Sequence, residues 1–89
     1  MQRLFKVTTY ASDESDIAQL KDVLKANGFG NTKTETKVID NINTVVLEIV
    51  CTKRQIRRVT NLVIDVHKFD LPYLEVRGLT KTEEKEWLV

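Results

Sequence analysis

The chain has 89 residues, which is the size of one domain and too short for a second independent core. Hydrophobic residues make up 42% and charged residues 30%, so the composition is that of a folded globular domain and excludes a disordered chain. Fourteen Lys and Arg against thirteen Asp and Glu give a net charge of +1, which excludes a global field that would hold nucleic acid or anionic lipid.

The segment from Leu4 to Tyr10 is the first predicted strand. Phe5, Val7 and Thr9 share one face in a period of two residues. The segment contains no apolar signal-peptide core, and no apolar run in the chain is long enough to cross a membrane. We therefore expect a cytoplasmic protein.

The first helix is predicted from Asp13 to Asn27. Ile17, Leu20 and Leu24 repeat at the spacing of one helix face, and the acidic residues of the first turn suit the helix dipole. Gly28 then supplies the left-handed conformation that commonly ends a helix.

A strand hairpin is predicted next. Thr and charged residues alternate from Asn31 to Ile39, which is typical of an edge strand. Asp40 to Asn43 has turn composition. The run from Val45 to Val50 is almost entirely apolar, as expected of a central strand that is covered on both faces.

The second helix is predicted to begin at a capping box, Thr52 to Gln55. Its apolar face repeats with helical spacing at Ile56, Val59, Val63 and Val66. The pattern ends at His67, before Pro72.

The fourth strand is predicted at Leu74 and Val76, and Gly78 closes it. The order β-α-β-β-α-β predicts an α+β protein of the ferredoxin-like type, in which a four-stranded antiparallel sheet carries both helices on one face. Residues 1–89 form this single domain, with residues 80–89 as a tail that packs on the domain or on a neighbouring subunit.

The other face of the sheet is predicted to take part in an oligomer interface. Val46 and Val50 flank Glu48 on that face, and Trp87 in the tail needs a surface on which to bury its ring. An oligomer in which the tail reaches a neighbour would cover these side chains, so we predict Val46, Val50 and Trp87 as interface residues.

Four basic residues crowd the first turns of the second helix, where the helix dipole disfavours cations. They are Lys53, Arg54, Arg57 and Arg58. This placement suggests contact with an anion or an acidic partner. The alternative is neutralisation by Asp13, Glu14 and Asp16, within the subunit or across an interface, because we expect the N-termini of both helices at the same end of the sheet. The sequence favours this alternative over a phosphate site, because no glycine-rich loop precedes the helix.

Signatures of catalysis are absent from the sequence, and we predict that the protein is not an enzyme. It contains no glycine-rich phosphate loop and no second histidine. Cys51 is the only cysteine, which excludes an internal disulfide and favours a small core residue. The central strand carries no aromatic residue, which argues against an RNA-recognition domain and against nucleic acid as a partner.

His67 and Asp70 lie three residues apart after the second helix, and side chains of these types can bind a divalent metal. The alternative is structural, because a histidine at a helix C-terminus also caps carbonyl groups.

Two segments of the C-terminal half carry a resemblance to a known family. His67 to Pro72 is similar to the His-Pro-Tyr-Glu-Val-Pro signature of the CutA family, the divalent-cation tolerance proteins, and Glu84 to Leu88 is similar to their closing Tyr-x-x-Trp-Leu segment. CutA proteins share a superfamily with the PII signalling proteins. The hairpin between strands two and three is too short for the nucleotide-sensing loop of PII, so the chain resembles a divergent or minimal CutA relative.

The resemblance implies a homotrimer whose subunits pair their edge strands. It also implies divalent-metal binding, such as copper or zinc, with His67 and Asp70 as the site residues. Two other functions remain open from the residues alone. One is an ACT-like regulatory module that binds a small molecule as a dimer, and the other is an interaction scaffold that presents the basic end of the second helix.

Overall fold

The structure is a computed structural model that describes residues 3–11, 13–66 and 73–87. The strands are β1 (Leu4–Ala11), β2 (Thr32–Ile39), β3 (Ile42–Thr52) and β4 (Glu75–Gly78). The helices are α1 (Glu14–Ala26), α2 (Ile56–Val66) and α3 (Lys81–Trp87), and a 3-10 turn at Lys53–Gln55 leads into α2. The sheet has the order β2-β3-β1-β4 with antiparallel neighbours throughout, which confirms the predicted ferredoxin-like fold.

The first helix forms where the sequence predicts it. Asp13 is the N-cap, and its carboxylate accepts a hydrogen bond from the Ser15 amide at 2.9 Å. That bond is the main reason why the pKa of Asp13 is lowered. Asn27 caps the C-terminus, and Gly28 follows with φ at 89°, in the left-handed region that glycine adopts without strain.

The β2–β3 hairpin turns through two residues, Asp40 and Asn41, whose φ angles are 51° and 65°. Two consecutive positive φ angles are the requirement of a tight hairpin turn that follows the twist of the strands. The turn leaves β2 at the edge of the sheet, with most of its side chains exposed, and places β3 in the centre between β2 and β1.

The main core lies between the sheet and the helices α1 and α2, and we call this side the inner face. The described residues of this core are apolar or nearly so and are all buried: Val7, Ile17, Leu20, Leu24, Phe29, Val45, Leu47, Ile49, Cys51, Val59 and Val63. The β3 members alternate along the strand, as the period of two requires.

The opposite side of the sheet, the outer face, is covered in part by α3. Val50, Leu79 and Trp87 form a second buried cluster, and Leu4 packs against it. The helix α3 differs from the expected tail over residues 80–89, for which the sequence predicts no helix. The Thr80 hydroxyl accepts from the Glu83 amide at 3.2 Å while the Glu83 carboxylate accepts from the Thr80 amide at 3.2 Å, and this reciprocal pair starts the helix.

The two long helices run in opposite directions, and this corrects one expectation. The chain leaves β1 at Ala11, which pairs with Val45, whereas it leaves β3 at Thr52, which pairs with Leu4 at the other end of the sheet. Because β1 and β3 are antiparallel, the helices that follow them start at opposite ends. Within one subunit the acidic first turn of α1 therefore lies far from the basic first turns of α2, and the expectation that both helices start at the same end of the sheet is wrong.

Candidate functional site

A cleft of about 380 Å³ opens at the end of the sheet where β3 leads into α2. It is lined by Arg3, Phe5, Lys53 and Arg54. Lys53 and Arg54 are in the 3-10 turn that begins after Thr52, and the Gln55 carboxamide oxygen fixes this turn by accepting from the Thr52 amide at 2.9 Å. The structure thus brings Lys53 and Arg54, two of the four predicted basic residues, next to Phe5 of β1 and Arg3, which directly precedes β1.

The Arg3 side chain is held between an aromatic ring and a glycine. Its guanidinium carbon lies 5.6 Å from the centroid of the Phe5 ring. Gly78 is the β4 partner of Phe5, and a Cβ atom built on Gly78 would lie 2.6 Å from Arg3 Nη2. The absence of a side chain at Gly78 therefore gives the guanidinium the room to occupy this position.

The cations of the cleft have no carboxylate partner among the described residues. The ion pairs among the described residues join Lys6 to Glu48 at 2.8 Å, Lys37 to Glu35 at 3.6 Å and Arg77 to Glu83 at 2.6 Å. None of the four predicted basic residues belongs to these pairs. The cleft therefore keeps the positive charge of Arg3, Lys53 and Arg54 without an acidic neighbour in contact.

The other two predicted basic residues are placed differently. Arg58 donates to the Asn27 side chain at 3.1 Å, so it lies at the C-terminal end of α1, where the helix dipole favours a cation. Arg57 is exposed and does not line the cleft. Arg3 was missed by sequence reasoning, although extending the Leu4–Thr52 pairing by one residue would have placed it opposite Lys53.

The predicted metal residues, His67 and Asp70, lie outside the described residues. Within residues 3–11, 13–66 and 73–87, no group of three His, Cys, Asp or Glu side chains could hold a metal ion. Cys51 is 3% exposed on the inner face, and burial raises the pKa of its thiol. It behaves as a core residue, as its position at the end of an apolar strand suggested.

The predicted interface residues are buried within the chain itself. Val46, Val50 and Trp87 are 4%, 8% and 8% exposed. Trp87 packs with Val50 in the outer cluster, and the Lys33 ammonium lies 4.4 Å from the centroid of the indole ring. The tryptophan thus finds its burial in its own subunit, while the role of these three residues in an interface stays a prediction.

The described part of the chain contains no helix that is long and apolar enough to span a membrane.

No protein-family model and no curated protein sequence matches the chain. Solved structures do. The *Staphylococcus aureus* protein SA1388 has a TM-score of 0.76 and 20% identity over 88% of this chain, which spans only 23% of that protein. CutA1 from *Ehrlichia chaffeensis*, a divalent ion tolerance protein, has a TM-score of 0.73 and 14% identity over 98% of this chain and 92% of its own.

The PII protein of *Arabidopsis thaliana*, solved bound to citrate, has a TM-score of 0.73 and 19% identity over 89% of this chain and 79% of its own. With CutA1 the likeness extends over almost the whole of both chains, so it concerns the complete arrangement of strands and helices and not one motif. The chain therefore has the fold that CutA1 and PII proteins share.

Proposed function

We propose that this protein is a CutA-like oligomeric binding or signalling protein, a cytoplasmic homotrimer that is not an enzyme. The observation that carries the proposal is the likeness to CutA1 over 98% of this chain and 92% of the CutA1 chain. The single cysteine is consistent with a reducing compartment.

The free edge of β2 supports assembly through strand pairing. β2 has eight residues, and among the described strands it pairs only with β3, on one side. An uncovered edge presents backbone donors and acceptors to another chain. Val38 and Ile42, which lie near the hairpin turn, are 68% and 58% exposed, so apolar surface is available beside this edge.

The residues whose backbone groups point to the free edge can be identified. The Val50 amide donates to the Asn31 carbonyl at 3.2 Å, which makes this a hydrogen-bonded pair of the antiparallel ladder. Hydrogen-bonded pairs alternate along such a ladder, so Lys33 and Glu35 also bond towards β3. Thr32, Thr34 and Thr36 then direct their amides outwards.

Native mass spectrometry tests the assembly. We expect a trimer at micromolar concentration, and we expect Thr34→Pro to dissociate it because proline removes one outward amide from the edge. Thr34→Val keeps the amide and is the matched control. A wild-type protein that is monomeric at micromolar concentration would contradict the proposal, and a dimer stabilised by an amino acid would favour the ACT-like alternative.

Divalent-metal binding is a separate part of the proposal, with copper or zinc at His67 and Asp70. Two ligands from one chain leave further positions to be filled by other groups, so such a site would depend on the assembly. Metal-stripped protein should take up a stoichiometric metal ion in the same mass-spectrometric measurement, and His67→Ala should abolish this uptake. If His67→Ala leaves uptake unchanged, these residues are not the ligands.

A further inference from the structure

We propose that the cleft formed by Arg3, Phe5, Lys53 and Arg54 binds a small polyanion, a metabolite that carries phosphate or several carboxylate groups. The charged groups of the ligand bond to the three cations, one of which, Arg3, lies over the Phe5 ring. The inference does not depend on the trimer, because these four residues come from one chain.

The distribution of charge is the first argument. The whole chain is nearly neutral, with a net charge of +1, yet three cations line one cleft. The acidic residues that would have neutralised the start of α2 lie at the opposite end of the sheet, because β1 and β3 are antiparallel. Cations held near one another without an intervening carboxylate repel, and a bound anion removes this repulsion.

The size and lining of the cleft are the second argument. Its volume of about 380 Å³ falls at the lower end of the range for small-molecule sites. Its lining combines a partly buried phenylalanine with three exposed cationic residues. This combination suits a compact ligand that carries several negative charges close together.

The positioning of Arg3 is the third argument. The guanidinium lies over the Phe5 ring, in space that any side chain at position 78 would invade. An arginine stacked on an aromatic ring keeps its donors in one plane and free to bond bidentately to phosphate or carboxylate oxygens. Because the Arg3 side chain already occupies this position before the ligand binds, binding costs less conformational entropy.

A small ligand fits these observations better than a nucleic acid or an acidic protein. Extended polyanions require cations spread along a surface. Here Arg58 turns away to Asn27, and the neighbouring cations Lys6 and Arg77 are in ion pairs with Glu48 and Glu83. The cleft therefore brings together three cations that are in no ion pair among the described residues, beside two neighbours whose charge is already paired.

Isothermal titration calorimetry at low ionic strength tests the site, with inorganic pyrophosphate and tricarballylate as separate probes. We expect saturable binding of at least one probe. The Lys53→Gln/Arg54→Gln variant should bind at least about tenfold more weakly, since charge-assisted hydrogen bonds are lost. The matched control is Lys81→Gln/Lys85→Gln, which removes the same charge from α3 on the outer face and should weaken binding much less, because neither lysine lines the cleft.

The Gly78→Ala variant tests the geometry of the site without changing its charge. The new methyl group would meet the guanidinium of Arg3, the far end of a flexible side chain, so the fold should persist while Arg3 moves off the Phe5 ring. We expect weaker binding of the probe together with unchanged cooperative unfolding.

The identity of the probe that binds separates phosphate from carboxylate ligands. The proposal is overturned if neither probe binds the wild-type protein, or if the control variant weakens binding as much as the cleft variant does. It is also overturned if polyglutamate binds while both small probes fail, since that result would assign the cations to an acidic protein partner.

Discussion

The two faces of the sheet are covered by different means. On the inner face two long helices bury a core of eleven described residues, whereas on the outer face the seven-residue α3 brings together three buried residues, Val50, Leu79 and Trp87. The outer face also holds the three ion pairs of the described chain. The inner face is thus stabilised mainly by apolar burial, and the outer face by a small cluster around Trp87 together with polar contacts.

This difference predicts that substitutions on the two faces have different consequences for unfolding. The inner core joins both helices to the central strands, so damage to it should unfold the whole domain. The outer cluster joins one short helix to the sheet, so damage to it should release α3 locally while the rest of the domain stays folded. The four substitutions that follow test this division.

Leu47→Ala should have the largest effect. Leu47 is fully buried on the inner face of β3, and removing such a side chain typically costs about 2–5 kcal/mol because a cavity remains. A loss of that size is a large part of the stability of a small domain. Urea unfolding measures it, with Val38→Ala at an exposed position of β2 as the control. An effect no larger than that of the control would mean that the inner core is not the main source of stability.

Trp87→Ala should cost less than Leu47→Ala, and less than the roughly 3–5 kcal/mol typical of removing a core tryptophan, because the ring packs in a small cluster whose loss releases only α3. We expect loss of helical circular-dichroism signal and faster hydrogen exchange in residues 80–87, with little change in residues 45–51. If native mass spectrometry instead shows dissociation of the oligomer with unchanged subunit stability, Trp87 belongs to the subunit interface.

Acid should weaken the docking of α3 through Glu83. Hydrogen bonds from Arg77 and the Thr80 amide lower the pKa of Glu83 to about 2 from the ordinary 4.5. Because the folded pKa is the lower one, the stabilisation is fully present above about pH 4.5 and is lost as the pH falls towards 2. Trp87 fluorescence can follow this transition, and Glu83→Gln should flatten the pH dependence in that window. Glu86→Gln, at an exposed position on the same helix, should leave it intact.

Lys33→Ala should have the smallest effect. The Lys33 ammonium lies 4.4 Å from the centroid of the Trp87 ring, and such an exposed contact is worth about 0.5–1 kcal/mol. Lys37→Ala removes the same charge from the same face of β2, away from the tryptophan, and is the control. Its ion pair with Glu35 at 3.6 Å is solvent-exposed and contributes little to stability. Thermal unfolding followed by Trp87 fluorescence should separate the two variants. Equal effects would show that charge alone is responsible.

The sequence predicts the inner face well because its elements are periodic. Ile17, Leu20 and Leu24 mark one face of α1 without reference to the rest of the chain, and all three are buried. The apolar run of β3 likewise predicts its central place in the sheet. In such elements the local pattern and the tertiary environment agree.

The outer face and the candidate site were harder to predict because they depend on pairing between distant residues. The segment of α3 is polar up to Trp87, so no apolar stripe indicates a helix, and its burial becomes visible only when Val50 is known to lie beneath it. The basic residues of α2 were recognised, but Arg3 required the register of β1 against β3. The opposite directions of the helices follow from that same register.

The single thiol of the chain can report on local opening of the protein. Cys51 lies near the end of β3, close to the turn that leads into α2. Its side chain is buried, and this burial raises the pKa of the thiol, which disfavours the reactive thiolate form. A thiol-modifying reagent can therefore react only when this junction opens. The labelling rate of the native protein should report how often the β3–α2 junction separates, without any engineered probe.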